Sequence, residues 1–139
     1  METKGKTQLE MIASILDSME FAIVGVDIAG TVFYANERYG LHIGKPLSSI
    51  IGKKLQDVYV GSTTITALKT GRKVIVERKV CPVDNTKFVT GVATPIYQNN
   101  KPSGAFSLYM DLPADKAYLE SSTETFFTNY VRQKLFDTA

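Results

Sequence analysis

The stretch FAIVGVDIAGTVFYANERYG, residues 21–40, decides how the chain is read. FAIVGV and TVFYA are short, β-branched and aromatic, and Asp27-Ile28-Ala29-Gly30 between them carries turn chemistry. Gly30 stands where a positive φ is tolerated, so the pattern predicts a β-hairpin. Asn36 closes the second run and is a good helix N-cap. A helix is therefore expected at once in ERYGLHIGKP, kept short by Gly40, Gly44 and Pro46.

Upstream of the hairpin, LEMIASILDSME places Leu9, Ile12, Leu16 and Met19 on one helical stripe, which Ile15 widens. Thr7 and Glu10 fit a capping box ahead of it. The stripe suits the domain's own sheet and a partner helix equally. Downstream, residues 46–59 read as a short turn of helix broken near Gly52, and STTITALKTG as a better helix, capped by Ser62 or Thr63 and stopped by Gly71. Strands are expected in KVIVERKV (73–80), TKFVTGVATPIY (86–97) and AFSLYMDL (105–112), with CPVDN and QNNKPSG as the turns. The order predicts an α+β fold: one five-stranded antiparallel sheet, short helices over one face, and flanking helices at both ends. The organisation follows as an N-terminal amphipathic helix over 1–20, a core over 21–112 and C-terminal helices over 113–139. In the last segment Phe127, Val131 and Leu135 recur every four residues behind a second capping box, Ser121 to Glu124. That stripe is expected to fold back on the domain or to pack against another copy.

The totals bound the possibilities. The 139 residues, 44% of them hydrophobic, suffice for one domain with its own core. Sixteen basic against fourteen acidic residues leave +2, too little to argue for a nucleic-acid or membrane surface. One cysteine excludes an internal disulfide and agrees with a reducing compartment. With no apolar run of about 18 residues and a polar start, a cytoplasmic location is expected. One histidine and one cysteine, His42 and Cys81, cannot assemble a metal site, and a turn and a pocket helix are not expected to bring them together with an orienting acid, so no catalysis is expected. IIGKKL lacks the second glycine and the hydroxyl of a phosphate loop.

These pieces, in this order, resemble the PAS sensor domain over roughly residues 9–120. The resemblance rests on ILDSMEFAIVGVDIAGTVFYAN, IIGKKLQDV, ALKTGRKV and TPIYQNNKPSGAFSLYMDL, the last ending near Asp111. Within the family, the wording is similar to the input domains of bacterial sigma-54-dependent transcription activators; related sequences precede histidine kinases and cyclases. The resemblance implies that the hairpin is half of a curved sheet and that the short helices close a pocket on it. It also sets the phase of the strands: with Val24 and Val26 inward, Val89, Gly91, Ala93, Ser107 and Tyr109 share their face. Phe33, Tyr39 and His42 complete the expected pocket, Gly91 leaving room and Tyr109 offering a polar handle.

The family's cofactor classes can be held against these residues. Flavin photosensors carry a cysteine on the helix after the hairpin and an asparagine that binds the flavin; YGLHIGKP has no cysteine, and Val89 stands where that asparagine would be. Haem members place a histidine on the long middle helix, and TTITALKTG has none. Flavin and haem are both disfavoured, and any ligand is unknown. The implied function is a sensory input module that binds a small molecule, dimerises, or does both. It would relay its state to an effector in the same chain or a partner protein. Leu9, Ile12, Leu16, Met19, Phe127, Val131 and Leu135 are the expected dimer contacts. The alternative is a ligand-free adaptor whose pocket is plugged by Phe33, Tyr39 and Tyr109.

Overall fold

The structure, a computed structural model, describes residues 2–80, 83 and 87–113. Helix α1 (Glu2–Asp17) leads into β1 (Ala22–Asp27) and β2 (Val32–Ala35). Three short helices follow, α2 (Glu37–Ile43), α3 (Leu55–Val58) and α4 (Thr63–Thr70), with a 3₁₀ turn at Leu47–Ser49. The chain closes with β3 (Val74–Val80), β4 (Lys87–Gln98) and β5 (Lys101–Pro113). The strands form one sheet in the order β2-β1-β5-β4-β3, and every neighbouring pair is antiparallel. This is the α+β architecture expected from the sequence. Residues 114–139 lie outside the described part, and with them Phe127, Val131 and Leu135; so does Cys81.

The opening hairpin forms for the reasons its residues suggest. Asp27 Oδ1 accepts from the amides of Ala29 (2.9 Å) and Thr31 (3.0 Å), and Gly30 takes φ 83°. The outer edge of β2 is not left bare. Val32 donates to the Lys53 carbonyl and accepts from Gly52, and Leu55 donates to Gly30, so the loop before α3 runs along that edge. Asn36 then caps α2, its Oδ1 accepting from the Tyr39 amide at 3.0 Å, and Gly44 ends the helix in the left-handed conformation.

Four local expectations are corrected. Helix α1 is under way from Glu2, so Thr7 lies inside it and not at its start; Glu2, Lys4 and Lys6 favour the extension and offset the cost of Gly5. Gly40 does not break α2 but lies buried within it: a Cβ there would sit 2.8 Å from the Lys45 carbonyl oxygen, so its absence lets the following segment fold back on the helix. The loop QNNKPSG shrinks to Asn99 and Asn100, both at positive φ (52° and 63°), as a two-residue hairpin demands. Strand β5 accordingly starts at Lys101, with Pro102 inside it.

The inner face of the sheet, covered by α2, α3 and α4, holds the main core. Val24, Val26, Val32, Ala35, Tyr39, Ile43, Ile50, Leu55, Ile65, Ala67, Val89, Ala93 and Ala105 pack there. A smaller cluster of Phe21, Ile23 and Met110 sits on the other face, and Leu16 and Met19 pack onto it together with Tyr34 and Leu108. The stripe on α1 therefore divides. Its C-terminal part covers the outer face of the sheet, while Leu9 (69% exposed) and Ile12 (52%) face solvent beside Met11 and Ile15.

Candidate functional site

Alternation along the strands brings the expected residues to one place. Val24 pairs with Ser107, Ser107 with Ala93, and Gly91 with Tyr109, so their side chains stand in adjacent rows on the inner face. Val24, Val26, Val89, Ala93, Ser107 and Tyr109 are all buried. Helix α2 adds Tyr39 and His42, which lie three apart on its buried side. Phe33 does not join them. The β1–β2 register pairs Gly25 with Tyr34 and Val26 with Val32, so Phe33 falls in a bulge and is 58% exposed, its ring lying over Gly25.

The site itself has two parts. The first is aromatic: the His42 ring stacks on Tyr109, centroids 5.3 Å apart and planes within 14°, and Tyr39 lies 5.9 Å from His42 and 6.4 Å from Tyr109. The second is a run of hydroxyls where the N-terminus of α4 meets β5. Thr63 Oγ1 lies 2.5 Å from the Tyr109 hydroxyl, which lies 3.4 Å from Thr64 Oγ1, which in turn lies 2.6 Å from Ser107 Oγ. Ser62 fixes this end of α4 by accepting from the Thr64 amide at 3.2 Å. Thr63 and Thr64 were not among the residues expected from the sequence. The signal that could have found them is their place in the first turn of a helix crossing β5, where short hydroxyl side chains reach a facing strand.

Each hydroxyl carries one proton and two acceptor sites. Four hydroxyls joined by three contacts use three protons, so the run can reverse its direction and still present one proton outward. His42 is in a different position: it is buried, and its Nδ1 has no hydrogen-bond partner. The carboxylate facing it, Asp111 Oδ1 on β5, is 3.7 Å away, too far for a hydrogen bond. Burial, with the nearby Tyr109 and Tyr59 adding to it, holds the Tyr39 hydroxyl far above the ordinary tyrosine range, so it is neutral throughout.

Gly91 leaves no room. A Cβ on it would lie 2.2 Å from the Leu108 carbonyl oxygen and 2.7 Å from Tyr109 Cδ1, so the tyrosine already occupies the space expected to be open. Two surface grooves, of about 440 and 290 Å³, lie along α2 and beside α4, and neither is lined by an expected pocket residue. Among the described residues no three His, Cys, Asp or Glu side chains gather to hold a metal, and no helix is long and apolar enough to cross a membrane.

The architecture is thus a five-stranded antiparallel sheet with short helices folded over one face and a small polar group between them. The sequence profile of the PAS fold matches residues 10–101, and the chain belongs to that family. Among solved structures it is similar to the PAS domain of BvgS from Bordetella pertussis, with a TM-score of 0.61 and 19% identity over 93% of this chain and 99% of that one. It is also similar to a PAS domain from Colwellia psychrerythraea (TM-score 0.56, 21% identity, 77% and 98% covered). A third is a sensory box sensor histidine kinase from Vibrio cholerae (TM-score 0.55, 15% identity, 82% and 98% covered). A search of curated protein sequences finds no significant match.

Proposed function

We propose that this PAS domain is the cytoplasmic input module of a bacterial signalling protein and that it senses a small molecule between α2, α4 and β5. The ligand is largely apolar with one hydrogen-bonding group. One observation carries the reading: a hydroxyl run, buried except at its Thr63 end, and an unpartnered imidazole nitrogen lie against the apolar core. Burying a polar group without a partner costs free energy, and His42 Nδ1 has none. A ligand that completes them would favour one packing of the helices, and a bias of about 1–3 kcal/mol is enough to signal. The wording of the hairpin and of ALKTGRKV supports an output of the sigma-54-dependent activator kind; similar folds in histidine kinases support a kinase output as the alternative.

The bare apolar side of α1, with Leu9, Met11, Ile12 and Ile15 exposed, supports dimerisation through that helix. A ligand-free adaptor is the second reading. It is favoured by Tyr109, which lies against Gly91 and fills the space a ligand would use.

Native mass spectrometry of protein purified from cells, compared with the same sample denatured, separates the two. Excess mass that is lost on denaturation supports the sensor and begins to identify its ligand. A dimer of bare chains, with no ligand recovered from a cell extract, supports the adaptor.

A further inference from the structure

We propose that His42 and Asp111 form a proton-operated latch between the pocket helix α2 and the outgoing end of β5. The observations are geometric. His42 is the chain's single histidine and sits in the last turn of α2, with its side chain 6% exposed. Its Nδ1 has no hydrogen-bond partner, and the carboxylate oxygen of Asp111 faces it at 3.7 Å. Asp111 is 45% exposed and stands two residues before the end of β5 at Pro113.

The chemistry follows from which nitrogen carries a proton. With Nδ1 bare, its lone pair faces a carboxylate, two acceptors with nothing to share, and the gap stays open. A proton taken from solvent makes both ring nitrogens donors and gives Nδ1 a charge-assisted bond to Asp111. Closing from 3.7 Å to about 2.8 Å, the usual length of such a bond, draws the end of β5 towards α2. The C-terminal end of a helix also favours a cation.

The groups around the imidazole leave Asp111 as its counter-ion. Tyr109 from β5 stacks on it, and Tyr39 from α2, held neutral by burial, lies tilted against it. Helix α4 brings only the hydroxyls of Thr63 and Thr64. Along the sheet, Asp111 pairs with Val89, which pairs in turn with Lys79, the one basic register position in that row. The latch needs no small molecule, so it stands or falls separately from the ligand reading.

The test is an NMR titration of the folded protein, following the single imidazole and the backbone amides of Met110 to Leu112 together. The expected result is one common midpoint for the ring and those amides. In Asp111→Asn the ring midpoint moves measurably to lower pH, and the amide shifts at that midpoint disappear. Asp111→Glu keeps the charge and retains the linked titration. The proposal is overturned if the ring does not titrate while the protein is folded, if the β5 amides ignore it, or if Asp111→Asn leaves the midpoint unchanged.

Discussion

Asn36 makes three buried hydrogen bonds: its Oδ1 accepts from the Ile23 and Tyr39 amides at 3.0 Å each, and its Nδ2 donates to the Phe21 carbonyl at 2.7 Å. One side chain thus caps α2 and ties it to the start of β1. Asn36→Ala removes the acceptor of the Ile23 amide and the donor to the Phe21 carbonyl, while the Tyr39 amide keeps its bond to the residue-36 backbone carbonyl; the change is expected to cost about 2–4 kcal/mol, read from the urea midpoint. Asn36→Asp removes only the donor, leaves a buried charge against a carbonyl, and does not restore stability. Tyr39 supports a second prediction. Folded, it keeps its proton; unfolded, it loses it near pH 10, the ordinary tyrosine value. Stability therefore falls as pH rises above 10, by up to about 1.4 kcal/mol per pH unit for this group. Tyr34, raised by burial and by its hydrogen bond to Asp17, acts in the same direction. Urea unfolding from pH 9 to 11.5 should show a shallower decline in Tyr39→Phe than in the parent, and equal slopes would refute the assignment.

At the scale of elements, α2 shows how local preference and packing can disagree. Alanine is favoured over glycine inside a helix by about 1 kcal/mol, which argues for a gain from Gly40→Ala. The Cβ would however meet the Lys45 carbonyl oxygen at 2.8 Å, which is backbone and cannot swing away. Overpacking of this kind costs about 1–3 kcal/mol, so the net effect is expected to be destabilising, with thermal unfolding as the measurement. The same disagreement marks what could be read from the sequence. Alternation, with its phase set by the PAS resemblance, placed Val24, Val26, Val89, Ala93, Ser107 and Tyr109 on one face, and these strand segments keep their register across β1, β5 and β4. Phe33 escaped because the bulge opposite Gly25 and Val26 inserts an extra residue and reverses the parity of β2. The space at Gly91 was misjudged because composition gives the size of a residue but not what lies against it. Thr63 and Thr64 look like any helix start until the crossing of α4 over β5 is known.

For the whole molecule, the two faces of the sheet have different fates. The inner face is closed by three short helices, and among the described residues the outer face is covered by the end of α1 alone. Replacing Leu9 and Ile12 by glutamate changes only exposed positions, so the fold should survive, with an unchanged circular dichroism spectrum and melting temperature. If α1 is the dimer contact, sedimentation equilibrium should find the parent as a dimer and the double variant as a monomer. A parent that is monomeric at every concentration would remove α1 from that role. The strand order has a further consequence. Because β1 and β5 are antiparallel neighbours, with Ala22 opposite Tyr109, β1 begins at the end of the sheet towards which β5 runs, and β5 continues beyond that point along β4 as far as Pro113. A unit wired in this way can be spliced into a longer chain as a side loop, both of its connections lying at one end of the sheet. Tension along those segments enters the unit at two adjoining seams, where β1 begins beside Tyr109 and where the last residues of β5 lie along β4.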